Sequence, residues 1–129
     1  MAMASIVFTP SINELEQRFL ALLEMAIPRK VFEVCYSIGE LSTRLSMPLS
    51  NVKVAVFFAV TRAEIPRILS LGDLMTDIKS ILVLSDGDKD TMTKVHMLRP
   101  RYVTWVDCDL IDLVTVTKRM VDLYDPPRV

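Results

Sequence analysis

Four aspartates, Asp86, Asp88, Asp107 and Asp109, carry most of the chemistry open to this chain. They come in two pairs, each just after a short apolar run. Carboxylate oxygens gathered in this way could hold a hard cation such as Mg²⁺ or Ca²⁺, with Asp86, Asp107 and Asp109 as the candidate ligands. Hydroxyls at Ser37 and Ser85 and the thiol of Cys108 stand in comparable positions after apolar runs, where a small α/β enzyme or ligand binder would place polar groups. The plainer reading, which we prefer, makes Asp88 and Asp109 helix caps and the other two solvated turn residues. No metal or other cofactor is then expected.

Other chemistries lack their parts. The only histidine, His96, falls in a helical stretch away from any strand end, so no nucleophile–imidazole pair is expected. Cys35 and Cys108 are far apart, have no CxxC spacing, and with one histidine are too few for zinc. They read as free thiols of a cytoplasmic protein, used as small apolar residues. Gly39, Gly72 and Gly87 are too scattered for a phosphate-binding loop. With 15 basic and 16 acidic residues and no basic stripe, nucleic acid is not an expected partner. The longest apolar run, Val54 to Val60, is far short of the ~20 residues of a membrane-spanning helix. The N-terminus has no basic residue before Arg18, unlike a secretory signal. Neither membrane nor export is therefore expected.

The elements that must position these groups follow from periodicity. Ile6-Val7-Phe8 reads as a first strand, with a capping box at Ser11 and Glu14 opening a helix. Ile12, Leu15, Phe19, Leu22, Leu23 and Ala26 share one face of that helix, and Pro28 stops it. Val31 to Tyr36 is a second strand, followed by a second capping box at Ser37 and Glu40 and a helix to about Arg44 or Leu45. Val52 to Val60 is apolar on both faces, as a central strand buried between helices would be. Thr61 and Glu64 make a third box, with Pro66 delaying the helix start. Ser80 to Leu84 is the fourth strand. Met92, Val95, His96 and Leu98 line part of the helix after it. Tyr102 to Val106 is the fifth strand. Asp109 then caps a last helix whose inner face holds Leu110, Leu113, Val114, Thr117, Met120, Val121 and Tyr124.

Five strands alternating with five helices predict a three-layer α/β fold around a parallel sheet. The 129 residues suit one domain, with residues 1–5 and 125–129 read as loose ends. Half the residues (51%) are hydrophobic, with a mean hydropathy of +0.36. That excess predicts a well-covered sheet or an exposed contact surface.

The strand–helix alternation from Ile6 to Tyr124 resembles the receiver domain of bacterial response regulators, the CheY-like fold. Ile81-Leu82-Val83-Leu84-Ser85 resembles that family's fourth strand, which ends in Ser or Thr. Tyr102-Val103-Thr104-Trp105-Val106 is placed like the fifth strand, and Asp109-Leu110-Ile111-Asp112-Leu113 resembles the opening of the last helix. The resemblance implies a flavodoxin-like (βα)5 sheet in the order 2-1-3-4-5. It also implies a reactive corner: an acidic pair after strand one, a phospho-accepting Asp ending strand three, and a Lys after strand five. Here strand one ends Thr9-Pro10-Ser11, strand three ends Ala59-Val60-Thr61, and the Lys position falls among Trp105, Val106 and Asp107. Only Ser85 matches. Without a carboxylate nucleophile no acyl phosphate can form, and without the Lys a phosphoryl group has no clamp. The expectation is a pseudo-receiver in two-component signalling, with no catalytic residue and no phosphoacceptor.

Receivers signal through the side formed by helix four, strand five and helix five. That side would draw here on Met92, His96, Met97, Arg99, Arg101, Tyr102, Trp105, Lys118 and Arg119. Aromatic, Met and Arg side chains suit an interface, and the expected partner is a protein or a second copy of the chain. The competing reading places Trp105 and the methionines in the core.

Overall fold

The computed structural model describes residues 4–10, 13–28, 31–48, 52–86 and 89–124. Five strands, β1 (Ala4–Phe8), β2 (Val31–Cys35), β3 (Val52–Val60), β4 (Lys79–Leu84) and β5 (Tyr102–Trp105), alternate with five helices. The helices are α1 (Glu14–Ala26), α2 (Ile38–Leu45), α3 (Ile65–Ser70), α4 (Lys89–Met97) and α5 (Leu110–Tyr124). A 3₁₀ turn, Gly72–Met75, extends α3. All strand pairs are parallel, in the order β2-β1-β3-β4-β5, as the resemblance implies.

The sheet separates two apolar layers, and β3 feeds both. Ala55 and Phe57 join Ile6, Phe8, Leu82 and Leu84 under α2, α3 and α4. Val54, Val56 and Phe58 join Val7, Ile81 and Val83 under α1 and α5. Phe58 stacks on Phe19 of α1, with ring centroids 4.6 Å apart and 4° between planes. The apolar excess of the sequence is spent largely here, since Val52, Val54 to Phe58 and Val60 are all buried. Strict alternation fails at both ends of β3. Register shifts fall opposite Ala4/Ile6 and between Phe57 and Val60. The second shift is an extra residue in β3, which turns Val60 onto the same side as Phe57.

Several local expectations move. β1 starts at Ala4, so residues 4 and 5, expected in a loose end, lie in the sheet, with Ser5 buried opposite Phe32. The α1 capping box is Asn13 with Glu16, two residues later than the Ser11–Glu14 spacing suggests. Asn13 Oδ1 accepts from the Glu16 amide, and Glu16 Oε2 accepts from the Asn13 amide. Asn outranks Ser little as a cap, so spacing alone does not choose between them. Ser11 lies outside the described residues, as does Asp88, the expected cap of α4. At α2, Ser37 Oγ accepts from Glu40 as expected, but the Glu40 carboxylate reaches the Tyr36 amide instead of that of Ser37. Pro66 delays α3, so Thr61 to Glu64 form a turn before it and Glu64 takes the cap position. β2 and β5 each stop one residue early, before Tyr36 and Val106. No described helix is long and apolar enough to cross a membrane.

Candidate functional site

Parallel strands that all lead into helices leave one crevice beyond their carboxyl ends, at the switch between β1 and β3. Three strand ends meet there. Thr9 follows β1, fully buried, with its amide donating to Cys35 O. Val60 ends β3 and is also fully buried, because the bulge turns it into the α2/α3/α4 layer. Ser85 follows β4, exposed, and its amide donates to Val60 O at 2.9 Å. Beyond β5, the Val106 amide donates to Leu84 O, and the Val106 side chain packs into the α1/α5 layer.

Two described carboxylates at this corner are already committed. Arg62 Nε lies 3.3 Å from Asp86 Oδ2, and the Arg62 amide donates to Asp86 Oδ1 at 3.3 Å. This pair ties the end of β3 to the end of β4. Glu64 folds back onto Thr61, accepting from its amide at 3.0 Å and from its hydroxyl at 2.8 Å. Among the described residues, Glu64 and Asp86 are thus both engaged, Asp86 by a guanidinium and Glu64 by a threonine. Such a donor set does not suit Mg²⁺, which demands several free oxygens in octahedral geometry. Asp109 Oδ1 accepts from the Ile111 amide at 2.8 Å and opens α5, while Asp107 is exposed in the turn after β5. Among the described residues no group of three His, Cys, Asp or Glu side chains could hold a metal.

The remaining candidate groups are placed as follows. Ser37 is exposed and spent on capping α2. Cys35 is buried, and its thiol pKa is raised mainly by burial, with Glu40 and Glu33 adding and Arg44 opposing. A raised thiol makes a poor nucleophile. Arg44 pairs with Glu33 beside it. Cys108 is half-buried among the α1/α5 layer residues.

The β5 side of the molecule is divided. Met92 packs partly into the α2/α3/α4 layer and Tyr102 into the other, so they face opposite sides of the sheet. His96 lies in the last turn of α4, exposed. Met97 (65%) and Trp105 (42%) keep large apolar areas in solvent, with Arg99, Arg101 and Arg119 also exposed. Lys118 pairs with Asp122 one turn along α5. β5 is an edge strand.

Sequence reading missed two features. One is the Arg62–Asp86 pair, whose partners lie 24 residues apart and give no local signal. The other is a cleft of about 730 Å³ at the opposite end of the sheet, between the 3₁₀ turn and the α4–β5 loop. A smaller cleft of about 300 Å³ adjoins the start of β3. The Arg99-Pro100-Arg101 triplet was the available hint to the larger one.

No protein-family model and no curated protein matches the chain by sequence. Solved structures do match it in shape. A CheY-like response regulator receiver domain from Methanospirillum hungatei JF-1 superposes with a TM-score of 0.76 at 12% identity, covering 97% of this chain and 98% of its own. A protein from Burkholderia thailandensis E264, named for pilus assembly, gives 0.68 at 18% identity over 95% and 99%. A pilus assembly-related protein from Burkholderia pseudomallei K96243 gives 0.65 at 19% identity over 92% and 88%. The fold is that of the CheY-like receiver, over nearly the whole chain.

Proposed function

We propose that this chain is a receiver-like signalling module that works by protein contact and not by phosphorylation. The observation that carries this reading is the strand-end corner. A receiver's chemistry needs a free carboxylate at the end of β3, oxygens for a cation and a cation after β5. This chain places buried Val60, the Arg62–Asp86 pair and half-buried Val106 at those points. Message transfer then falls to the outside, where Trp105, Met97, Arg101, Arg99, His96 and Arg119 supply interface chemistry along the β5 edge. Non-enzymatic action and a cytoplasmic setting belong to the same reading.

The test is incubation with Mg²⁺ and acetyl phosphate, read by intact mass. No phosphoryl adduct is expected, and a stoichiometric adduct lost with hydroxylamine would overturn the proposal. Sedimentation of wild type against Trp105→Glu tests the contact surface, with weaker self-association or partner binding expected in the variant.

The two Burkholderia structures support a second setting for the same module, in which it serves an assembly apparatus instead of a phosphorelay. Deleting the chain in its host would then abolish surface pili and leave kinase-dependent responses intact.

A further inference from the structure

We infer that the outer edge of β2 is a self-association site, on which a second copy of this chain adds its own β2 antiparallel to the first. β2 closes the sheet at the end opposite β5. Among the described residues it pairs only with β1, in a register without a shift. Cys35 O accepts from the Thr9 amide, so Cys35 turns its backbone groups toward β1. Successive residues of a strand turn these groups to opposite sides. Val31 and Glu33 therefore also face β1, and Phe32 and Val34 hold their amides and carbonyls outward, beyond the sheet.

Sheet edges are usually protected by lysine, proline, a bulge or an exposed charge. Val31–Cys35 contains neither lysine nor proline, and the register shifts of this sheet fall in the β1–β3 and β3–β4 ladders. The one charge in the strand, Glu33, is paired with Arg44 of α2. Phe32 and Val34 are only half-buried against the α1/α5 layer, and Tyr36 follows them, 40% exposed. β5, at the other edge, is shorter and follows directly on Pro100 and Arg101.

The strand selects its own copy as the occupant. Val31-Phe32-Glu33-Val34-Cys35 has apolar residues on both sides of a central carboxylate, so its pattern reads alike in both directions. A twofold contact needs a patch that complements itself. With Glu33 on the axis, Phe32 of one copy lies opposite Val34 of the other. Both residues hold their backbone groups outward, so each such pair exchanges both of its hydrogen bonds and no outward group of Phe32 or Val34 is left over. An aromatic ring opposite a β-branched side chain is a favourable cross-strand pair. The two Glu33 carboxylates meet at the axis, but each brings its own Arg44, so the axis carries no net charge. The Glu33 side chain is 39% exposed and that of Arg44 15%, which makes the carboxylate the outer member of the pair. Pairing one short strand buries little area, so the association depends on concentration. It joins two sheets into one and leaves the β5 edges, with Trp105, at the outer ends for other proteins.

The inference does not rest on the proposed signalling role, and the two can fail independently. Sedimentation velocity over a concentration series should show wild type passing from monomer to dimer. Amide hydrogen exchange, followed by NMR over the same series, should slow at Phe32 and Val34 as the dimer forms, while Glu33, bonded to β1, stays protected throughout. Val34→Pro removes an outward amide and spares the β1 ladder, so it should keep the wild-type circular dichroism and stay monomeric. Arg44→Gln leaves two unneutralised carboxylates at the axis and should weaken the dimer about three- to tenfold. Adding Glu33→Gln to Arg44→Gln should restore the dimer, a rescue that misfolding does not give. Trp105→Glu should leave this dimer unchanged. A wild type that stays monomeric, exchange at Phe32 and Val34 that ignores concentration, a folded Val34→Pro that dimerises like wild type, an Arg44→Gln that Glu33→Gln does not rescue, or a dimer lost in Trp105→Glu would each overturn the inference.

Discussion

Returning a carboxylate to the end of β3 should break the domain instead of reviving a reactive corner. Val60 is fully buried in the layer with Phe57, Leu84, Ile65 and Ile68. Val60→Asp forfeits about 1.5–3 kcal/mol of apolar burial. An uncompensated buried carboxylate adds about 3–5 kcal/mol. The combined loss of about 5–8 kcal/mol compares with a total stability of about 6–19 kcal/mol for a chain of this length. Desolvation raises the folded-state pKa of the new carboxyl above its unfolded value. Stability is therefore best preserved below the unfolded pKa, about 3.9, and falls as pH rises through the folded value. Urea melts followed by circular dichroism at mildly acidic and neutral pH measure both the loss and its sign, and intact mass after acetyl phosphate treatment reads the chemistry. A variant as stable as wild type at neutral pH, or one that takes up a phosphoryl group, would refute the argument that this corner has become core.

Three further outcomes are expected. Phe58→Ala removes a fully buried ring and its stack on Phe19, and should cost about 3–5 kcal/mol in urea unfolding, with α1 losing amide protection first. Arg62→Ala and Asp86→Ala, combined in a double-mutant cycle, should show a coupling of no more than about 1 kcal/mol that shrinks with salt, because the side chains are 62% and 42% exposed. Cys108 should react with iodoacetamide well before Cys35. Because the Cys35 pKa is raised, stability should be intact below the ordinary thiol value of 9.0 and decline as pH rises from there, a slope that Cys35→Ala should flatten.

Much of this molecule was legible from local pattern. The extent of β3 follows from its apolar run, broken only by Lys53, and the inner face of α5 from residues spaced at the helical period, of which Leu113, Val114, Thr117, Met120 and Val121 are buried. The missing receiver groups were visible as residue types: Thr9-Pro10, Val60-Thr61 and Val106 are what they are before any folding. Capping was legible in kind but not in place. The spacing Ser/Thr-x-x-Glu marked the helix starts, yet Asn13 opens α1 and Pro66 pushes the cap of α3 to Glu64.

The chain order of polar and apolar residues determined which segments become strands and helices and which face of each turns inward, because those choices depend on periods of two and 3.6 residues. Only the tertiary structure decided what the corner and the far cleft contain. The bulge that buries Val60 exists only against β4, the Arg62–Asp86 pair only when two strand ends are side by side, and the placing of Lys79 and Arg101 over Tyr124 only when β4, the α4–β5 loop and α5 converge. Contacts between residues far apart in the chain leave no periodic mark in it, and such contacts set the charge and the shape of both places.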